Sequence, residues 1–157
     1  MTRRIVHPRS GDAFLVPEDW EVLGEHDDAD TLVAVEPGTD EAFRANLVLS
    51  VVTNGGMDDA AWQQATEAQL PRTLQDYQLL DLDTADVAGR TGGRRLARHV
   101  TPDGTAATLE QWFVSVDGVG HTVSLTVPDL RYGELSAVAV DAVAGWEIGT
   151  GADGGVA

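Results

Sequence analysis

The chain has 157 residues, 26 of them Asp or Glu against 10 Arg and no Lys, for a formal charge of −16. That length suits one domain, two at most, and 43% hydrophobic residues are enough for a core. The lack of Cys excludes a disulfide scaffold, a zinc ribbon and a thiol nucleophile, and the acidity opposes nucleic acid and anionic membrane surfaces, which need clustered cations.

Residues 1–12 read as an N-terminal arm. Arg3 and Arg4 are followed by Pro8, Ser10 and Gly11 instead of an apolar stretch, so a cytoplasmic protein without leader or membrane anchor is expected. Arg as the sole cation, among abundant Ala, Gly, Val and Asp, matches GC-rich codon usage more simply than adaptation to high salt. Residues 13–16 form a first short strand, Pro17-Glu18-Asp19 a turn, and residues 20–23 a second extended piece. Residues 24–30 are an acidic loop. The run Glu25 to Asp30 lacks the Gly and distal Glu of a calcium loop, so a solvated loop is the better reading than a cation site. Residues 31–36 are β-rich and stop at Pro37-Gly38. Residues 46–53 (NLVLSVVT) are apolar on both faces, which predicts an interior strand covered on two sides.

Asp58 or Asp59 caps a predicted helix from Ala60 to Leu70, with Ala61, Trp62, Ala65 and Ala68 as its packing stripe and Pro71 as its kink or end. An extended segment over 77–82 follows, then a loop bracketed by Gly89, Gly92 and Gly93. Residues 94–100 and 106–116 form a hairpin. A loop of Asp103, Gly104 and Thr105 pairs Leu96 with Trp112 and Arg98 with Glu110, apolar with apolar and cation with anion. Asp117-Gly118 marks a type I′ turn, pairing Val116 with Val119, Val114 with His121 and Trp112 with Val123. A last helix from about Arg131 to Gly145 carries the stripe Leu135, Val138, Ala139, Ala142 and Trp146, which should lie on the face of Trp112 and Val123. Residues 148–157 read as a flexible tail. The order is β-β-β-β-α-β-β-β-β-α, an α+β domain over 13–147.

No catalytic motif is visible, and no cofactor or metal is expected. His121 falls on the core face of its strand, where a His is more often satisfied locally than a ligand, and no second His stands at metal-ligand spacing. His99 is placed with Arg95 and Arg98 on an exposed strand side. Arg90, Arg94 and Arg95, among Gly89, Gly92 and Gly93, are the one cationic patch. They could cradle an anion, although solvent-facing arginines with carboxylate neighbours are the simpler reading. Trp20, Trp62, Trp112 and Trp146 suit core packing; the alternative is a groove, with His121, for a ligand or a partner.

Phe14-Leu15-Val16-Pro17-Glu18-Asp19-Trp20, the Phe43-Arg44-Ala45-Asn46 entry to an apolar strand, and Val87-Ala88-Gly89 before the long hairpins together resemble the LpqN/LpqT-type family of actinobacterial lipoproteins. The resemblance covers about residues 13–147. It implies a PsbP/Mog-like fold, an antiparallel sheet of about six to eight strands with two main helices packed on it. It also implies non-enzymatic binding work, as an adaptor or chaperone linked to export. The missing lipid-attachment Cys points to a cytosolic relative. A protein partner is therefore expected, and an exposed sheet edge allows a homodimer. The alternative is a small-ligand binder or enzyme with a cavity near Trp112, His121 and Trp146.

Overall fold

The structure, a computed structural model, describes residues 1–23, 31–38 and 43–149. The acidic loop 24–30 and tail residues 150–157 lie outside the described residues. The elements run β1 (Thr2–Val6), β2 (Ala13–Pro17), β3 (Glu21–Leu23), β4 (Thr31–Val35), β5 (Asn46–Thr53), α1 (Asp59–Thr73), β6 (Gln75–Val87), β7 (Arg90–Val100), β8 (Ala106–Val116), β9 (Val119–Pro128), a short 3-10 turn (Asp129–Arg131) and α2 (Tyr132–Ala144). β3-β4-β5-β9-β8-β7-β6 make one seven-stranded antiparallel sheet, and β1-β2 a two-stranded one. The chain is an α+β domain with the expected two helices.

β1 lies where the sequence alone places an arm. It pairs with β2 in register Arg4↔Leu15 and Ile5↔Phe14, and Ile5 is buried. At the other end, Ile148 packs against the core and Gly149 N donates to Asp12 Oδ1 at 2.9 Å, so these two residues of the expected tail are held by the domain.

The β8–β9 hairpin has the expected register, with Asp117 and Gly118 at φ 50° and 79°. The β7–β8 hairpin is displaced by two positions. Leu96 faces Glu110, Arg94 faces Trp112 and Arg98 faces Thr108. The loop residues are Pro102, Asp103 and Gly104, closed by Thr101 N donating to Thr105 O at 2.8 Å, with Gly104 at φ 89°. The Thr101 hydroxyl bonds the Asp103 carboxylate, which holds the turn one residue earlier than strand pairing alone suggests. Because the shift is even, every side chain keeps its face. Ala88 and Gly89, at φ 51° and 77°, turn β6 into β7, so Gly92 and Gly93 are strand residues and not loop. A Cβ at Gly93 would enter the Phe113 ring.

β5 is interior, yet only Leu47, Leu49 and Val51 are buried; Val48 and Ser50 are half-buried and Val52 is exposed. Its second face is therefore not covered as expected, because α1 lies over the β6–β9 side of the sheet. α1 begins at Asp58, whose Oδ1 accepts from Ala61 N at 2.8 Å, and runs through Pro71 to Thr73. Pro71 sits in the last turn, so the bond it forfeits to the Glu67 carbonyl and any kink fall at the helix end, where Leu74 N still donates to Leu70 O at 2.9 Å. Its inner face is Trp62 and Gln63, with Thr66, Glu67 and Leu70 half-buried, while Ala61, Ala65 and Ala68 are exposed. Trp62 sets this rotation: its ring lies over Gly120 and meets Phe113 edge-on at 6.0 Å between centroids. α2 presents the expected stripe to the opposite face, where Ala139, Ala142 and Trp146 join Trp112 and Val123 in the core.

Buried Glu36 ties α2 to the sheet. Arg131 grips it with Nη1–Oε1 2.7 Å and Nη2–Oε2 2.9 Å, and Ala45 N donates to Oε1 at 2.8 Å. Burial alone pushes its carboxyl up, but the Arg131 fork and the Ala45 N–H outweigh that and hold it below the ordinary range. A depressed folded pKa gives stability that is present above the unfolded value and lost as pH falls through the folded one. Glu36→Gln is expected to cost about 1–3 kcal/mol at neutral pH and to flatten the acid limb of stability against pH, read by urea unfolding from neutral to pH 3. Gly120→Ala would push a methyl group into the Trp62 ring and is expected to cost about 1–3 kcal/mol in the same measurement.

Candidate functional site

The residues singled out in the sequence divide between the two faces of the sheet. Trp20, Trp112, His121 and Trp146 are buried on the α2 side, and Trp62 is on the α1 side. No groove holds all five. His121 Nδ1 donates to Asp12 Oδ2 at 2.8 Å, Trp146 Nε1 donates to the same oxygen at 3.2 Å, and Gly149 N takes the other oxygen. Asp12 is fully buried, and its neighbour Ser10 meets His7 Nδ1 at 2.8 Å through its hydroxyl. This is a packed structural junction that ties β9, the end of α2 and the β1–β2 loop. Asp12 carries no sequence signal: it stands 109 positions from His121.

The arginines also separate. Arg90 is exposed at the hairpin end, and Arg94 and Arg95, being consecutive on a strand, point to opposite faces. Arg94 lies over Trp112 at 5.6 Å and binds Glu110 (Nε–Oε2 2.7 Å), with Asp81 3.5 Å away. Arg95 is buried beneath α1. The alternative of an anion-binding turn is thus not assembled, because alternation sends Arg94 and Arg95 to separate carboxylates, Glu110 and Glu67; Arg94 keeps the expected carboxylate neighbour, while Arg95 is buried and not solvent-facing. His99 follows Arg95 to the buried face and not to solvent, and burial lowers its pKa.

The α1 side carries the cleft. It encloses about 770 Å³ between Asp59, Gln63, Gln64 and Glu67 of α1 and Leu82, Thr84 and Phe113 of the sheet. Gly92 and Gly93 complete its floor. Beside it runs a polar chain. Tyr77 OH donates to Glu67 Oε1 at 2.9 Å, Arg95 Nε donates to the same oxygen at 3.0 Å, and Arg95 Nη1 donates to Gln111 Oε1 at 2.8 Å. Gln111 Nε2 continues to Ser124 Oγ at 3.1 Å. Arg95 is 1% exposed and stacks over Phe113, so the network fixes a charge that could not otherwise be buried. Burial, reinforced by the Glu67 carboxylate, pushes the Tyr77 phenol well above its usual pKa and keeps it a donor. Burial also raises the Asp59 carboxyl, which the Ser115 N–H at 2.9 Å partly offsets. The cleft is apolar at its base and acidic at its rim. Of its lining, Asp59, Ala68, Gly92 and Gly93 stand out in the sequence, as cap, stripe and glycine loop and not as a site; Leu82, Thr84 and Phe113 carry no motif.

No protein-family model and no curated protein matches the chain. Among solved structures it is similar to LpqN of Mycobacterium tuberculosis, described as involved in cell envelope biogenesis, with a TM-score of 0.68 and 19% identity over 95% of this chain and 91% of that one. It is also similar to a variant of the protein Mog1 (TM-score 0.65, 11% identity, 94% and 96% covered). The PsbP of Synechocystis is a third likeness (TM-score 0.64, 12% identity, 94% and 92% covered). The domain has the PsbP/Mog-like fold. No helix among the described residues is long and apolar enough to cross a membrane.

Glu67→Ala leaves the buried Arg95 guanidinium with Gln111 alone and is expected to cost about 3 kcal/mol or more in urea unfolding. The double variant Arg95→Met, Glu67→Gln is expected to recover much of that loss, since it removes the buried charge with its partner.

Proposed function

We propose that this domain is a non-enzymatic protein-interaction module, an adaptor or chaperone that holds a segment of another polypeptide in the α1 cleft. One observation carries the reading: Leu82 of β6 lines the cleft at 40% exposure, and Leu79 and Leu80, earlier on the same strand, are 38% and 47% exposed. Exposed leucines bordering an apolar cleft mark a contact surface. The likeness in fold to LpqN, together with the ordered short motifs of residues 13–147, supports kinship with LpqN-like proteins and, through it, a task connected with export or the cell envelope. A small-ligand site beside Trp112, His121 and Trp146 is disfavoured, since these residues pack into the core and His121 is engaged with Asp12.

A photo-crosslinking residue at Gln64, in the cleft rim, is compared in the native cell with one at Leu130, which is fully exposed on the far side of the fold. Discrete protein adducts from Gln64 that Leu130 does not form are expected. Equal patterns, or none, would remove the basis of the reading.

A further inference from the structure

β6 is an edge strand of 13 residues whose outer side is unpaired among the described residues. Register irregularities interrupt it between Gln75 and Gln78 and between Leu79 and Asp81, but Asp81 to Val87 pair one-to-one with β7. Val87↔Arg90 closes the tight turn, so alternation directs the backbone groups of Asp83, Ala85 and Val87 toward β7. Those of Leu82, Thr84 and Asp86 face outward. Consistent with this, Thr84 N donates to the side chain of its own neighbour, Asp83 Oδ1, at 2.8 Å. Leu82 and Thr84 also line the cleft. A strand laid along this edge would therefore gain backbone hydrogen bonds at the same residues that admit its side chains to the cleft mouth.

Charge decides the occupant. β6 carries Asp76, Asp81, Asp83 and Asp86 and no cation, and the cleft rim adds Asp59 and Glu67. A second copy of this chain, itself at −16, would set these carboxylates against their like. We propose that the β6 edge takes up, by strand addition, an extended segment of a partner protein in which apolar residues alternate with Arg or Lys. The apolar side chains lie opposite Leu82 and Thr84 at the cleft, and on the other side the cations face Asp83, beside Asp81, whose carboxylate Arg94 already approaches at 3.5 Å. The inference rests on the protein-interaction reading and names its partner class.

The probe is a short end-capped peptide alternating valine with arginine, with a valine–glutamate peptide as control. Binding of the arginine peptide is expected to slow amide exchange at Thr84 and Asp86 and to weaken with salt. Thr84→Pro removes one outward N–H while sparing the β6–β7 ladder, and is expected to weaken binding about tenfold or more. Thr84→Val keeps the N–H and adds a methyl group toward the partner's apolar side chains, and is expected to bind at least as tightly. Should Thr84→Pro fail to fold, Asp83→Arg is expected to exchange preference from the arginine peptide to the glutamate one. Equal binding of both peptides, no protection at Thr84 and Asp86, or a concentration-dependent dimer that blocks the edge would each overturn strand addition. If those failures occur while the Gln64 crosslinks persist, the protein-interaction reading stands and only the strand-addition inference falls.

Discussion

The placement of α1 depends on one contact, the Trp62 ring lying over Gly120. No other large apolar side chain of the helix is buried, and a side chain at position 120 would occupy the ring's place. The helix is therefore pinned near its start by Trp62 and by the Asp59–Ser115 bond. Further along it is held by a polar tether, Glu67 to Arg95 and Tyr77, in place of a continuous apolar seam. A helix fastened at points leaves space between its fastenings. That space is the cleft, and a conventional stripe of leucines would have filled it.

The two faces of the sheet are specialised by what packs on them. α2 brings Ala139, Ala142 and Trp146 down on Trp112, Val123 and Leu125, and the polar groups there are closed into local junctions. Asp12 takes three donors and Glu36 takes a bidentate arginine. Such groups are satisfied and enclosed, which makes them supports and not reactive centres. The α1 face has fewer enclosed groups, an open cleft and an edge that is unpaired among the described residues, which is why the proposed contact is placed there.

How much was legible follows the range of each interaction. The Asp117-Gly118 hairpin and the α2 stripe depend on neighbours in the chain, and both appear as expected. The β7–β8 register was missed by two positions because the Thr101–Asp103 turn bond competes with side-chain pairing, and pairing rules see only the strands. The helix α1 was placed, but its inner face was not: an alanine stripe offers little to bury, and Trp62 overrode it. The tryptophans and arginines look like groups in the sequence, yet strand alternation and helix placement distribute them over both faces.

By itself, the sequence determined the α+β class, the alternation of the long hairpins, the Asp58 cap of α1 and the strong net acidity. These follow from local periodicity, turn chemistry and composition, which act over a few residues or over the whole chain at once. Only the tertiary structure decided that Asp12 meets His121, that Arg94 and Arg95 part company, and that a cleft opens beside β6, the edge strand. Those outcomes depend on which strand ends at the edge and on where one indole ring finds a glycine, contacts between residues too distant in the chain for any local pattern to encode.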